Sequence, residues 1–135
     1  MVRLVADVNI EGHVDRLVLE CQTEEWRYLW AFLDVEILTF EGLGLPRNAP
    51  DRVLWTAAQS AGAVLLTANR NRKGQDSLEA TIEAQNTLDA LPVITLADPD
   101  RFRIDAEYRH EAVEAFPDYL LEIDRYRGAG RLYIP

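Results

Sequence analysis

Cysteine and histidine are scarce in this chain, which has one cysteine, Cys21, and two histidines, His13 and His110. A single cysteine permits no internal disulfide and is compatible with a reducing cytoplasm. No cysteine or second histidine stands at ligand spacing from either histidine, so the sequence argues against a zinc site. Cys21 continues the helical spacing of Leu17 and Val18, and we expect it to be a core residue rather than a catalytic thiol.

Long apolar runs are also missing. No stretch approaches the roughly 18 apolar residues that a membrane span requires. The opening MVRLVADVNIEG has only a few apolar residues before Asp7, so we do not expect a signal peptide. With 48% apolar and 27% charged residues, the 135-residue chain has an ordinary globular balance. These features predict one cytoplasmic domain over residues 1–135, without membrane association.

Basic residues are outnumbered, since 14 lysines and arginines face 23 aspartates and glutamates and give a net charge of −9. Such a chain repels a phosphate backbone overall. Residues 98–125 hold nine acids and four arginines, and nine minus four leaves −5 in that segment. The dense basic cluster of the sequence is Arg70, Arg72 and Lys73. If nucleic acid binds, we expect it to contact these three residues.

Strand-like and helix-like segments alternate along the chain. Short apolar runs predict strands, and apolar residues at helical spacing predict helices between them. The predicted strands are 2–6, 35–40, 63–67 and 91–96, and the predicted helices are 12–31, 50–60, 77–86 and most of the acidic remainder. Pro117 is expected to kink or split the last helix, and Gly128 and Gly130 to end it before a short apolar tail. The alternation predicts an α/β fold with a mainly parallel sheet covered on both faces.

Polar residues stand where the predicted strands end, which is the edge where open parallel sheets bind ligands. Asp7 and Asn9 follow the first strand, and the segment from Thr67 to Asn71 follows the third. Asp51 opens the helix that leads into the third strand, so we expect it near the same edge. A few carboxylates, with water and phosphate oxygens, typically form a hydrolytic magnesium site. In a plainer interpretation, Asp7 or Asn9 caps a helix and Asp51 is a favourable charge at a helix N-terminus.

The loop LLTANRNRKGQDS carries amides where hydrolytic metal chemistry would use carboxylates. Asn69 and Asn71 can bind a metal through their carbonyl oxygens, but they bring no charge. Two carboxylates can hold one Mg²⁺ weakly, whereas two metal ions about 4 Å apart normally need more negative charge. Asp76 and Glu79 lie just beyond the loop, and the sequence leaves open whether they lean back towards it.

Two stretches of the chain resemble the small PIN-like proteins of bacteria. They are LVADVNIEG and EGLGLPRNAPDRVLWTAAQSAGAVLLTANRN. The family pattern is a first strand ending in Ala-Asp-Glu-Asn, then a glycine-rich loop before a helix that begins Asp-Glu. An apolar strand ending in Thr-x-Asp-x-Asp follows. The resemblance spans roughly residues 2–73, and residues 77–135 form the helical, acidic part of the same domain.

The resemblance implies a three-layer α/β/α domain and a ribonuclease that depends on Mg²⁺ or Mn²⁺, in many cases the toxin of a toxin–antitoxin pair. It implies catalytic positions at Asp7, Asn9, Asp51, Asn69 and Asn71, with Asp7 and Asp51 as the metal ligands. On this first hypothesis the substrate is RNA, and the basic cluster at residues 70–73 steers its phosphates.

Several acids of the family pattern are replaced in this chain. Val8 and Arg52 stand where the family has glutamates, and Asn69 and Asn71 stand where it has paired aspartates. These replacements favour a second hypothesis, a PIN-like module that has lost hydrolysis and serves as a binding or assembly protein. Its partner would be an antitoxin, another protein or a second copy of the chain, since the aromatic content suggests self-association.

Overall fold

A computed structural model describes residues 1–69 and 77–135 of the protein. Five strands and six α-helices alternate through these residues, with short 3₁₀ turns at Val8–Ile10 and Ile123–Tyr126. The strands are β1 (Val2–Ala6), β2 (Val35–Leu38), β3 (Ala63–Thr67), β4 (Val93–Leu96) and β5 (Arg131–Ile134). The helices are α1 (Glu11–Cys21), α2 (Arg27–Leu33), α3 (Asp51–Ser60), α4 (Leu78–Gln85), α5 (Pro99–Ile104) and α6 (Ala106–Leu121).

The strands form one sheet in the order β2-β1-β3-β4-β5, and every neighbouring pair is parallel. The predicted parallel α/β sheet is therefore confirmed. β5 was not predicted, because RLYI after Gly130 looked like a short apolar tail. The order reverses between β1 and β3, since the chain moves to one side of β1 for β2 and to the other side for β3. Ligands typically bind in open sheets at the carboxyl edge beside such a reversal.

Helices cover both faces of the sheet, as a three-layer α/β/α fold requires. Successive residues of β1 and β3 point to opposite faces, so Leu4 and Leu66 belong to one core while Val5 and Leu65 belong to the other. The first core is completed by α1, α2, α5 and α6, and the second by α3 and α4. Cys21 is fully buried in the first core, which confirms its predicted packing role. Within the described ranges, no helix is both long and apolar enough to cross a membrane.

Two helix predictions were wrong in detail. The single helix predicted for 12–31 is two helices, because the polar run Gln22-Thr23-Glu24-Glu25 interrupts the apolar stripe and closes a turn after α1. Of the two effects expected of Pro117, a split is contradicted, since α6 runs through this residue. The break falls earlier, at Asp105, whose carboxylate accepts hydrogen bonds from the amides of Glu107 and Tyr108 and so caps α6.

Candidate functional site at the carboxyl edge

Asp7 lies at the end of β1, and its side chain is 8% exposed. Its backbone amide continues the β1–β3 ladder by donating to the carbonyl of Leu66 at 2.8 Å. The carboxylate faces the end of β3, where Oδ2 accepts a hydrogen bond from the Thr67 hydroxyl at 3.0 Å. Oδ1 accepts a longer bond from the Asn9 amide at 3.3 Å, which caps the 3₁₀ turn at Val8–Ile10. Asp7 therefore does cap a helical turn, as the plainer interpretation predicts, but the cap uses only Oδ1 and a long hydrogen bond.

Asp51 is the first residue of α3, and its carboxylate points towards β3 and α4. Oδ2 accepts hydrogen bonds from Asn69 Nδ2 at 2.8 Å and from the backbone amide of Leu78 at 3.1 Å. Burial raises the pKa of Asp51, and the negative charge of Asp7 raises it further. The two bonds at Oδ2 and the nearby Arg131 act in the opposite direction without cancelling these effects. The surroundings of Asp51 therefore favour its protonated form more than water does.

Thr67 and Asn69 connect the two carboxylates. The Thr67 hydroxyl is fully buried and donates to Asp7, while its oxygen accepts the backbone amide of Asn69 at 2.9 Å. The side chain of Asn69 then donates to Asp51. One hydrogen-bonded path therefore runs from Asp7 through Thr67 and Asn69 to Asp51. We call these four residues the edge network.

Arg131 of β5 contacts the edge network, and sequence reasoning missed it. Its side chain is 8% exposed, and its Nη1 donates to the Asn69 carbonyl at 2.8 Å and to Thr95 Oγ1 at 2.6 Å. Nη2 pairs with Glu79 Oε2 at 2.9 Å. Glu79 therefore faces Arg131, which in turn holds the backbone of the Asn69 loop. Arg131 Nε is buried and has no hydrogen-bond partner among the residues that the structure describes.

The predicted site residues divide into three groups. Asp7, Asp51 and Asn69 are brought together in the edge network. Asn9 lies beside it, but its side chain is exposed and only its backbone amide contacts Asp7. The remaining predicted residues lie outside the described ranges, and they are Asn71, Arg70, Arg72 and Lys73. Asp76, for which the sequence left a site role open, also lies outside those ranges.

The edge network suits one divalent cation better than two. Among the described residues, no group of three or more histidine, cysteine, aspartate or glutamate side chains could hold a metal. Each carboxylate keeps an oxygen with spare capacity, since Asp7 Oδ1 accepts a single long bond and Asp51 Oδ1 accepts none from the described ranges. Carboxylates that are buried close to one another favour a bound cation. Two such groups are too few for a pair of metal ions.

No protein-family model, curated protein or solved structure matches the chain.

Proposed function

We propose that this chain is a PIN-like protein that holds one Mg²⁺ or Mn²⁺ ion at its edge network and cleaves RNA. The observation that supports this is the path Asp7–Thr67–Asn69–Asp51, which holds two carboxylates from separate elements at the reversal of the sheet. A cytoplasmic role as the toxin of a toxin–antitoxin pair belongs to the same proposal.

Asp7 and Asp51 would hold the cation through Oδ1 of each side chain. When bound, such an ion polarises a phosphoryl oxygen and lowers the pKa of water. The protein's own groups keep the two ligands in place. Thr67 orients the Asp7 carboxylate, and Asn69 with the Leu78 amide orients that of Asp51. Since protons and the cation compete for Asp51, whose pKa is raised by burial, metal affinity should fall as the pH is lowered.

The test is a calorimetric titration of Mn²⁺ and Mg²⁺ into chelator-treated protein, beside Asp7→Asn and Asp118→Asn. Asp118 is an exposed aspartate of α6 and serves as the matched control. We expect saturable binding in the wild type and the control, and a loss of at least about tenfold in Asp7→Asn, since loss of even an outer-shell partner of a ligand typically costs about 10–100-fold in metal affinity. Cleavage of a labelled RNA should follow the same pattern. No binding at millimolar metal in the wild type would refute the proposal.

A second candidate is favoured by a separate observation, the donor end of the Asn69 amide directed at Asp51. An amide N–H in this position already satisfies one carboxylate oxygen without a metal. In that case the chain would be a PIN-like module without hydrolysis, which assembles through exposed aromatic residues of α2. Tyr28 and Phe32 are 75% and 76% exposed. An exposed apolar patch of this kind typically marks an interaction surface.

The second candidate predicts a homodimer that depends on α2. Sedimentation equilibrium of the wild type should give a dimer, and Tyr28→Ser/Phe32→Ser should give a monomer with an unchanged circular dichroism spectrum. Leu88→Ser is the control, because Leu88 is 88% exposed and lies outside α2. A monomeric wild type would refute self-association through this helix.

A further inference from the structure

Outside the edge network, arginines converge on a groove between α1 and the α5–α6 pair. The groove has a volume of about 330 Å³. It is lined by Gly12, His13, Arg16, Phe102, Arg103 and Arg109. Three of the six lining residues are arginines and none is acidic, although the chain as a whole has a net charge of −9. The groove is therefore a local cationic surface on an acidic protein.

Within the described ranges, two of these arginines are held by exposed ion pairs alone. Arg16 pairs with Glu20 at 2.9 Å, and Arg103 pairs with Asp100 at 3.8 Å. The side chains of Arg103 and Asp100 are 70% and 89% exposed. Exposed pairs of this kind stabilise a protein by about 0–1 kcal/mol. Both arginines can therefore exchange a carboxylate for another anion at little cost.

Arg109 is held more firmly. Its Nη1 donates to the carbonyls of Phe102 and Arg103 at 2.9 and 3.1 Å, which fixes the guanidinium beside the end of α5. Its Nε and Nη2 have no hydrogen-bond partner within the described ranges. A planar guanidinium anchored through one nitrogen keeps donors for two oxygens of an oxyanion such as phosphate.

The groove adjoins the edge network. His13 Nε2 lies 3.1 Å from the Pro99 carbonyl and so joins the start of α1 to the start of α5. Both helices begin just after strands end at the carboxyl edge. His13 and Phe102 also line a small apolar cavity with Thr67, the residue that binds Asp7. A ligand in the groove would therefore lie close to the carboxylates.

We propose that this groove binds the phosphate backbone of single-stranded RNA and leads it to the edge network. This inference rests on the proposed function for its choice of ligand, and it assigns phosphate contacts to arginines other than those of the basic cluster in the sequence. Arg16 and Arg103 contact phosphates, and Arg109 orients the strand.

The test measures binding of a fluorescein-labelled 12-mer of oligouridylate by anisotropy, in EDTA, over a range of KCl concentrations. The groove variant is Arg16→Gln/Arg103→Gln. The control is Arg27→Gln/Arg125→Gln, which makes the same change in net charge at two exposed arginines outside the groove. Each phosphate contact contributes about 0.7 to the slope of log K against log salt for single strands. The groove variant should therefore lose about 1.4 of slope and bind more than about tenfold more weakly at 50 mM KCl.

Three results would overturn the proposal. The first is a wild type that does not bind the RNA at 50 mM KCl. The second is an equal loss of RNA affinity in the groove variant and the control. The third is displacement of the labelled RNA by a 12-residue oligoglutamate as effectively as by unlabelled RNA. The last result would point to an acidic protein partner instead. Because binding is measured without metal, it is independent of cleavage. Groove-dependent binding without cleavage would uphold this inference and refute the nuclease.

Discussion

Replacement of Thr67 by valine should destabilise the protein strongly, although the two side chains have nearly the same shape. The change keeps the shape of a fully buried side chain and removes only its hydroxyl. Two hydrogen bonds are lost, one donated to the Asp7 carboxylate at 3.0 Å and one accepted from the Asn69 amide at 2.9 Å. A bond to a charged group contributes about 1.5–3 kcal/mol and a neutral one about 1 kcal/mol. Burial of the added methyl group offsets part of this loss, so we expect the free energy of unfolding to fall by about 3 kcal/mol.

Thr81→Val provides the matched control. Thr81 is also buried, but its hydroxyl donates only to the Ser77 carbonyl, one turn earlier in α4. Loss of that neutral bond should lower the free energy of unfolding by about 1 kcal/mol. Urea unfolding, followed by tryptophan fluorescence at pH 7 in EDTA, measures both variants. If Thr67→Val lost no more stability than Thr81→Val, the Thr67 hydroxyl would not stabilise the fold through the Asp7 carboxylate, and the role given to Thr67 in the edge network would be refuted.

The remaining predictions concern one thiol, one carboxylate and one turn. Burial raises the pKa of Cys21 to about 12, so its thiol should react with a disulfide reagent at pH 8 only after denaturation, and rapid stoichiometric reaction of the folded protein would contradict this. Burial also raises the pKa of Asp51 above its ordinary 3.8. Protonated Asp51 therefore stabilises the folded state at low pH, and this stabilisation is lost as the pH rises through the pKa of the folded protein. The free energy of unfolding of Asp51→Asn, measured relative to the wild type in denaturant titrations, should therefore increase as the pH rises from 3.5 to 7. A difference that stays constant over this range would count against a raised pKa. Gly128→Ala should destabilise the protein by about 1–2 kcal/mol in the same assay, because φ is +89° and a Cβ would lie 3.2 Å from the Leu88 carbonyl, whereas Gly12→Ala in open space in α1 should not destabilise it.

Local sequence signals predicted four of the five strands and three of the four residues in the edge network. The alternation of apolar runs with helical spacing predicted the parallel sheet, and the strand ends then identified Asp7 and Asn69. Asp51 could be predicted because it opens the helix before β3. The helix predicted for 77–86 is also present as α4, and the hydroxyl of Ser77 caps it by accepting the amide of Ala80. In each case the feature depends on residues close together in sequence.

Arg131 and β5 could not be predicted in this way. Four residues carry too little periodicity to indicate a strand, and RLYI pairs with residues 93–96 only in the folded sheet. The partners of Arg131 are equally remote, since they lie on β4, on α4 and in the loop after β3. The available signal was a basic residue at the start of an apolar run. That signal does not predict burial, since Arg3 lies in the apolar run VRLVA and its side chain is 43% exposed.

The all-parallel order of the sheet has a consequence for how the protein reaches its folded state. Without hairpins among the described strands, Arg3 of β1 must find Ala63 of β3, and Val93 of β4 must find Arg131 of β5. Contacts between such distant residues require large loops to close before any pairing is gained, which slows folding. Until β5 docks, Glu79 and the Asn69 carbonyl lack the guanidinium that binds them, so the backbone of Asn69 is held in place only once β5 has paired.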